Sequence, residues 1–201
     1  QYVGGGDTSK ATDMAHMFQN SPLVEPETLD WDTGQVTDMQ HMFDGASAAK
    51  PATLTWDTAN VTNMQFMFNS ALQATPYTID WNTTKVTNMA NMFAQAPLAT
   101  PNTAQWNTRK VTDMKSMFHA AVEADPDTSG WNTAKVKDMS YMFSSAHKAA
   151  PNTSNWDTKQ VTALISTFYD TQQANPDTAT WDTSRVTNMH GVFGSTSLAN
   201  P

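Results

Sequence analysis

The chain has 201 residues and a formal net charge of −8. That balance sets the protein as a whole against nucleic acid and anionic lipid as partners. The absence of cysteine excludes disulfides, thiolate zinc sites and cysteine nucleophiles, and no apolar run is long enough for a membrane helix.

In chain order, Gly4-Gly5-Gly6 reads as flexible linker. Residues 1–6 are therefore assigned to a linker or N-terminal extension, and residues 7–201 to a single repeat domain, expected to be one segment of a longer protein. Tryptophans fall at 31, 56, 81, 106, 131, 156 and 181, a constant step of 25, and residues 11–18 (ATDMAHMF) carry the same frame without the tryptophan. Fixed-period self-similarity marks a repeat architecture, in which a unit too small to bury its own apolar face is covered by its neighbours.

Residues 53–76 serve as the type unit. In TLTW, Leu54 and Trp56 alternate with Thr53 and Thr55, the period of a half-buried strand, with Leu and Trp inward. Asp57-Thr58 reads as an Asx turn. Thr62-Asn63 reads as a helix cap, and Met64, Met67, Phe68 and Ala71 follow at i, i+3, i+4 and i+7, one face of a short helix. Pro76 turns the chain back. The expected fold is α/β: a leucine-rich-repeat-like solenoid of about eight 25-residue coils, with a parallel sheet on one face and short helices on the other. Because helix axes need about 8–10 Å and strands only about 4.8 Å, the helical side should splay and the array should curve.

WDTANVTNMQFMF (56–68), WNTAKVKDMSYMF (131–143) and WDTSRVTNMHGVF (181–193) resemble the BspA-like bacterial surface protein repeat, also met in mycoplasma-type lipoproteins. The resemblance covers about residues 7–201. It implies an extracellular, cell-surface-attached, leucine-rich-repeat-like protein tied to adhesion, with no catalytic residues to carry over. The return through AxPxT, as in ATPYT (74–78), departs from the Phe-Asn-rich return usual in that family.

The thirteen methionines occupy two columns shared with Phe and Ala, so they read as an inward stripe and not as a Cu(I) thioether site. The outward strand face is expected to carry Thr28, Asp30, Thr53, Thr55, Thr78, Asp80, Thr103, Gln105, Thr153, Asn155, Thr178 and Thr180, a candidate binding face. A flat Thr ladder is also a form an ice-binding face takes, although Asp30, Asp80, Gln105, Gly130 and Asn155 interrupt its second rank. Phe66, Tyr141 and Tyr169 are candidate helix-side contacts. Lys85, Arg109, Lys110, Lys135, Lys159 and Arg185 gather before the Val column as a candidate basic stripe, suited to an acidic glycan. His16 and His41 share a column with no recurring third ligand, and no nucleophile–base pair or phosphate loop is present.

These features lead to a non-enzymatic binding or adhesion module without cofactor or metal. Its expected partner is a protein or glycan on another surface, with neither nucleic acid nor membrane insertion. A monomer is expected, with end-to-end packing at the C-terminal coil. The alternatives are a passive spacer within a large adhesin and, third, ice binding through the Thr ladder.

Overall fold

The computed structural model describes residues 2–3, as backbone, and residues 6–200. Gly4 and Gly5 of the expected linker and the terminal Pro201 lie outside the described residues. The period of 25 is a period in space. Isolated parallel bridges join Asp13 to Asp38, Asp38 to Asn63, and onward at the same step to Asn188. The only continuous strands among the described residues are Tyr2–Val3 (β1) and Glu25–Pro26 (β2), which pair in parallel.

The α/β assignment is wrong. The described residues contain no helix and no extended sheet. Each coil is instead a succession of tight turns. In the type unit, Trp56 N–H donates to Thr53 O (3.2 Å), Val61 to Thr58 (3.0 Å), Met67 to Met64 (3.3 Å), Ala71 to Phe68 (3.1 Å) and Ala74 to Ala71 (3.1 Å). Every residue in these pairs is buried. An i, i+3 pair of inward side chains is what both a helix and a β-turn produce, and here the turn produces it.

Two observations show why the helix fails. First, the amides that would bond four residues back are diverted. In coil 36–46, Met39, His41, Phe43 and Gly45 donate across to Asn63, Gln65, Met67 and Asn69 of the next coil, while Met42, Asp44 and Ala46 donate three residues back. Second, two positions per coil sit at positive φ, among them His41 (53°), Phe66 (55°) and Tyr141 (58°) in one column and Gly45 (71°), Ser70 (55°) and Ala120 (55°) in the other. A helix tolerates neither feature.

The stacking distance agrees. Phe43–Phe68 rings are 5.5 Å apart and Phe143–Phe168 5.8 Å, while Trp31–Trp56 and Trp81–Trp106 are 6.1 and 6.3 Å apart. Helices need about 8–10 Å between axes. The Met-Phe side is no wider than the Trp side, so the expected splay is absent.

The TLTW strand is likewise corrected. Thr53 and Trp56 are the inward ends of a turn, and Leu54 and Thr55 are its exposed corners; Leu54 is 57% exposed and Leu29 47%. The strand-like alternation lies in the return, where Ala74, Pro76 and Thr78 are buried and Thr75 and Tyr77 exposed. The core columns of Trp, Val, Met, Phe and Ala run through the inner coils; in the end coils Met17 and Met189 are exposed and Trp181, Val186 and Phe193 only partly buried. Met64, Met67, Phe68 and Val61 have no exposed surface, and each such side chain contributes about 1.5–3 kcal/mol on burial.

Candidate functional site: the exposed columns of the coil stack

The expected Thr face divides in two. Thr28, Thr53, Thr78, Thr103 and Thr153 are buried, and Thr178 is half-buried. Their companions Asp30, Thr55, Asp80, Gln105, Asn155 and Thr180 are exposed. The always-Thr column is therefore structural. Thr28 Oγ1 donates to Ala52 O (2.9 Å), Thr78 to Asn102 O (2.8 Å) and Thr103 to Asp127 O (2.7 Å), each in the next coil. A second buried column, which residue type alone assigns to a turn, repeats the device: Thr33 Oγ1 donates to Asp57 O (2.9 Å) and Thr108 to Asn132 O (2.9 Å). A hydroxyl ladder facing inward offers ice no surface, which removes the basis of that reading. The signal was available: a column that never varies among otherwise variable polar neighbours is doing work inside.

The Asx turns are present as read. Asp57 Oδ1 accepts from Ala59 N–H (2.9 Å), Asn107 Oδ1 from Arg109 N–H (3.2 Å) and Asp157 Oδ1 from Lys159 N–H (3.0 Å). Asn63, expected to cap a helix, makes the same turn, accepting from Gln65 N–H (3.2 Å).

The helix-side candidates lie in the left-handed segment. Phe66 stacks on His41 (4.5 Å), which stacks on His16 (4.8 Å). Below them is a polar cluster that the sequence did not disclose. Asp44 bonds His41 Nδ1 (2.8 Å) and accepts from Asn69 (2.7 Å) and Gln19 (3.0 Å). Burial works against the Asp44 carboxylate, but the hydrogen bonds from Asn69, His41 and Gln19 outweigh it and hold its pKa below the usual value. Tyr141 and Tyr169 are 37% and 43% exposed, in two different columns. Among the described residues no group of three His, Asp or Glu is placed to hold a metal ion, and no helix is long and apolar enough to cross a membrane.

The basic stripe does assemble. Lys85, Lys110 and Lys135 occupy one column on consecutive coils, with Arg109 and Lys159 in the adjacent column and Arg185 further along; all six are exposed. Lys85 Nζ donates to Asn60 Oδ1 (2.6 Å) and Arg185 Nη1 to Gln160 Oε1 (2.9 Å), both neutral partners. Ion pairs among the described residues are His41–Asp44, His147–Asp170 and Lys148–Glu123, none of them on the stripe. A shallow groove of ≈ 380 Å³ opens on the same edge, lined by Ser129, Gly130, Trp131, Asn132, Thr133, Ala134, Asn155 and Asp157.

No curated protein and no solved structure matches the chain. Residues 1–103 and 97–201 each match one family, so the chain belongs to the repeat family described as "Mycoplasma protein of unknown function, DUF285".

Proposed function

We propose that this chain is a non-enzymatic binding module of a bacterial surface protein, of BspA-like type, recognising a protein or glycan through its exposed columns. One observation carries the reading. Position 66 and its equivalents hold the same left-handed backbone, φ between 51° and 64°, in every coil, yet the side chain is His16, His41, Phe66, Asn91, Ser116, Tyr141, Ser166 or Gly191. Gly or Asn would suit that backbone everywhere. A bulky residue there is an outlier that costs about 1 kcal/mol or more. The backbone therefore gives no reason for Phe66 and Tyr141; Phe66 stacks on His41 at 4.5 Å and Tyr141 meets His119 edge-on at 6.3 Å, and the surface these rings leave to solvent is what supports a partner contact. The resemblance to surface repeats adds the extracellular setting.

The test is a binding screen of the whole chain against arrayed bacterial and host surface proteins and glycans, beside the Phe66→Gly/Tyr141→Gly double variant. Expected is a target for the wild type and weaker capture by the variant, whose cooperative melt shows that it is still folded. If the wild type captures nothing, the chain is a spacer; if the double variant captures as well as wild type, the aromatic column is not the contact.

A further inference from the structure

We propose that the basic stripe binds a linear acidic polysaccharide laid along the stack, one anionic sugar per coil or per pair of coils; this rests on the binding-module reading. The stripe is more than a chance gathering of lysines. The Asx column beside it reads Asp7, Asp32, Asp57, Asn82, Asn107, Asn132, Asp157, Asp182. The three Asn stand on the three central coils that place Lys85, Lys110 and Lys135 in the stripe column; Lys10 and Arg185, at the ends of that column, share their coils with Asp7 and Asp182. Asp and Asn make the same turn there: Asn82 accepts at 3.0 Å, Asn132 at 3.1 Å and Asp57 at 2.9 Å. The turn does not choose between them, so the loss of the carboxylate serves the charge. Asp113 and Asp138, a few residues further along these coils, are half-buried and committed to the Lys115 and Ser140 amides. The result is a positive band on an acidic protein.

The geometry selects the partner. Rings of consecutive coils are 5.6 Å apart at Phe93–Phe118 and 6.3 Å apart at Trp81–Trp106, the column nearer in sequence to the stripe. A carboxylate or sulfate carried on successive sugars of an extended chain recurs at comparable intervals. The band spans three coils, with Asp57 on the coil before it and Asp157 and Asp182 on the coils after it, so a duplex or a lipid surface extending past both ends would meet repulsion there. Single-stranded nucleic acid needs stacking platforms, and neither stripe column carries an aromatic residue. The adjoining groove ends on Ala134, immediately before Lys135; its Ser129, Asn132 and Asn155 suit sugar hydroxyls, and Gly130 leaves the space open.

The probes are a heparin decasaccharide, neutral dextran and a single-stranded DNA oligonucleotide of equal charge, titrated by calorimetry into the whole chain at low and physiological salt. The stripe variant is Lys85→Gln/Lys110→Gln/Lys135→Gln; the control, Lys50→Gln/Lys115→Gln/Lys148→Gln, removes equal charge from other columns. Expected is decasaccharide binding that falls steeply with salt, about tenfold or more weaker in the stripe variant with a reduced salt slope, nearly unchanged in the control, and absent for dextran. No decasaccharide binding at low salt, equal losses in both variants, or DNA bound as tightly as the decasaccharide would each overturn the proposal. The array screen separates the two readings. A stripe variant that keeps the wild type's array target together with its decasaccharide affinity sinks this inference alone, whereas a wild type that binds the decasaccharide through the stripe but no arrayed surface sinks only the adhesion reading.

Discussion

Thr53→Val tests the inward hydroxyl ladder directly. Thr53 is 2% exposed, and its Oγ1 donates to Tyr77 O at 2.7 Å. No backbone amide among the described residues donates to that carbonyl. Valine keeps the shape, removes the donor and leaves the carbonyl without it. A lost neutral hydrogen bond is worth about 1 kcal/mol and an orphaned buried acceptor about 1–3; the added methyl returns about 0.8. The net expectation is a loss of about 1–2 kcal/mol. Thr62→Val is the control. Thr62 is exposed, its Oγ1 donates to Thr37 O at 3.1 Å, and that carbonyl already accepts from Thr62 N–H at 2.8 Å. Water can replace the hydroxyl, so the change should stay within about 0.5 kcal/mol. With a urea m-value of about 2–3 kcal/mol/M, Thr53→Val should lower the unfolding midpoint by roughly 0.5 M, followed by tryptophan fluorescence, and Thr62→Val by less than about 0.2 M. Equal midpoints for the two variants would refute the inward ladder.

Met67→Gln, at a fully buried site, should cost about 2–4 kcal/mol in the same melts, since the core offers its amide no partner. Ala120→Gly should raise the midpoint slightly: Ala120 sits at φ 55°, where Gly45 at φ 71° fills the equivalent place, and relief of left-handed strain is worth up to about 1 kcal/mol. Asp113→Asn should stabilise the protein at neutral pH. Burial is the main cause that raises the Asp113 pKa, with the Asp138 charge adding to it. A raised carboxyl binds more protons folded than unfolded, so its contribution worsens as pH rises from the unfolded value through the folded one. The gain of the Asn variant should thus appear above about pH 4 and vanish below it. Screening at this half-exposed site limits it to about 0.5 kcal/mol, and a gain that persists at pH 3 would contradict the assignment.

Much of the interior was legible in the sequence. Their spacing places Met64, Met67, Phe68 and Ala71 on one inward face, and all four are buried. The Asx turns at Asp57 and Asn107 were read from residue type, because a short polar side chain satisfying an amide two residues on is a local event. The backbone was not legible. Spacings of three and four fit a helix, and the alternative needs positive φ at His41, Phe66 and Tyr141, where only Gly or Asn would have announced it. Thr53 was misplaced for a related reason. Alternation in TLTW assumed a strand, whereas the Trp56 N–H to Thr53 O turn sends both intervening residues outward. The stripe was visible as a list of lysines, but its meaning depends on the stacking of equivalent positions.

The invariant threonines also explain how the stack holds together without a sheet. On the Met-Phe side, amides such as those of Met64, Phe66 and Phe68 reach carbonyls of the following coil. On the Trp side few amides are available for this. Pro76 has none, and those of Trp56 and Val61 are spent inside their own turns. Carbonyls at Asp57, Tyr77 and Asn82 would be left unmatched, and the hydroxyls of Thr33, Thr53 and Thr58 supply the missing donors from the preceding coil. The fold thus fixes Thr, Trp, Val and Phe, keeps the Met columns apolar in most coils and fixes the turn-forming role of the Asx columns, while the stripe and the side chains at the left-handed corners vary from coil to coil. Variation at exposed columns such as these is where selection for a partner can act, so substitutions in the lysine stripe and at the Tyr141 corner are the ones that separate binding from folding.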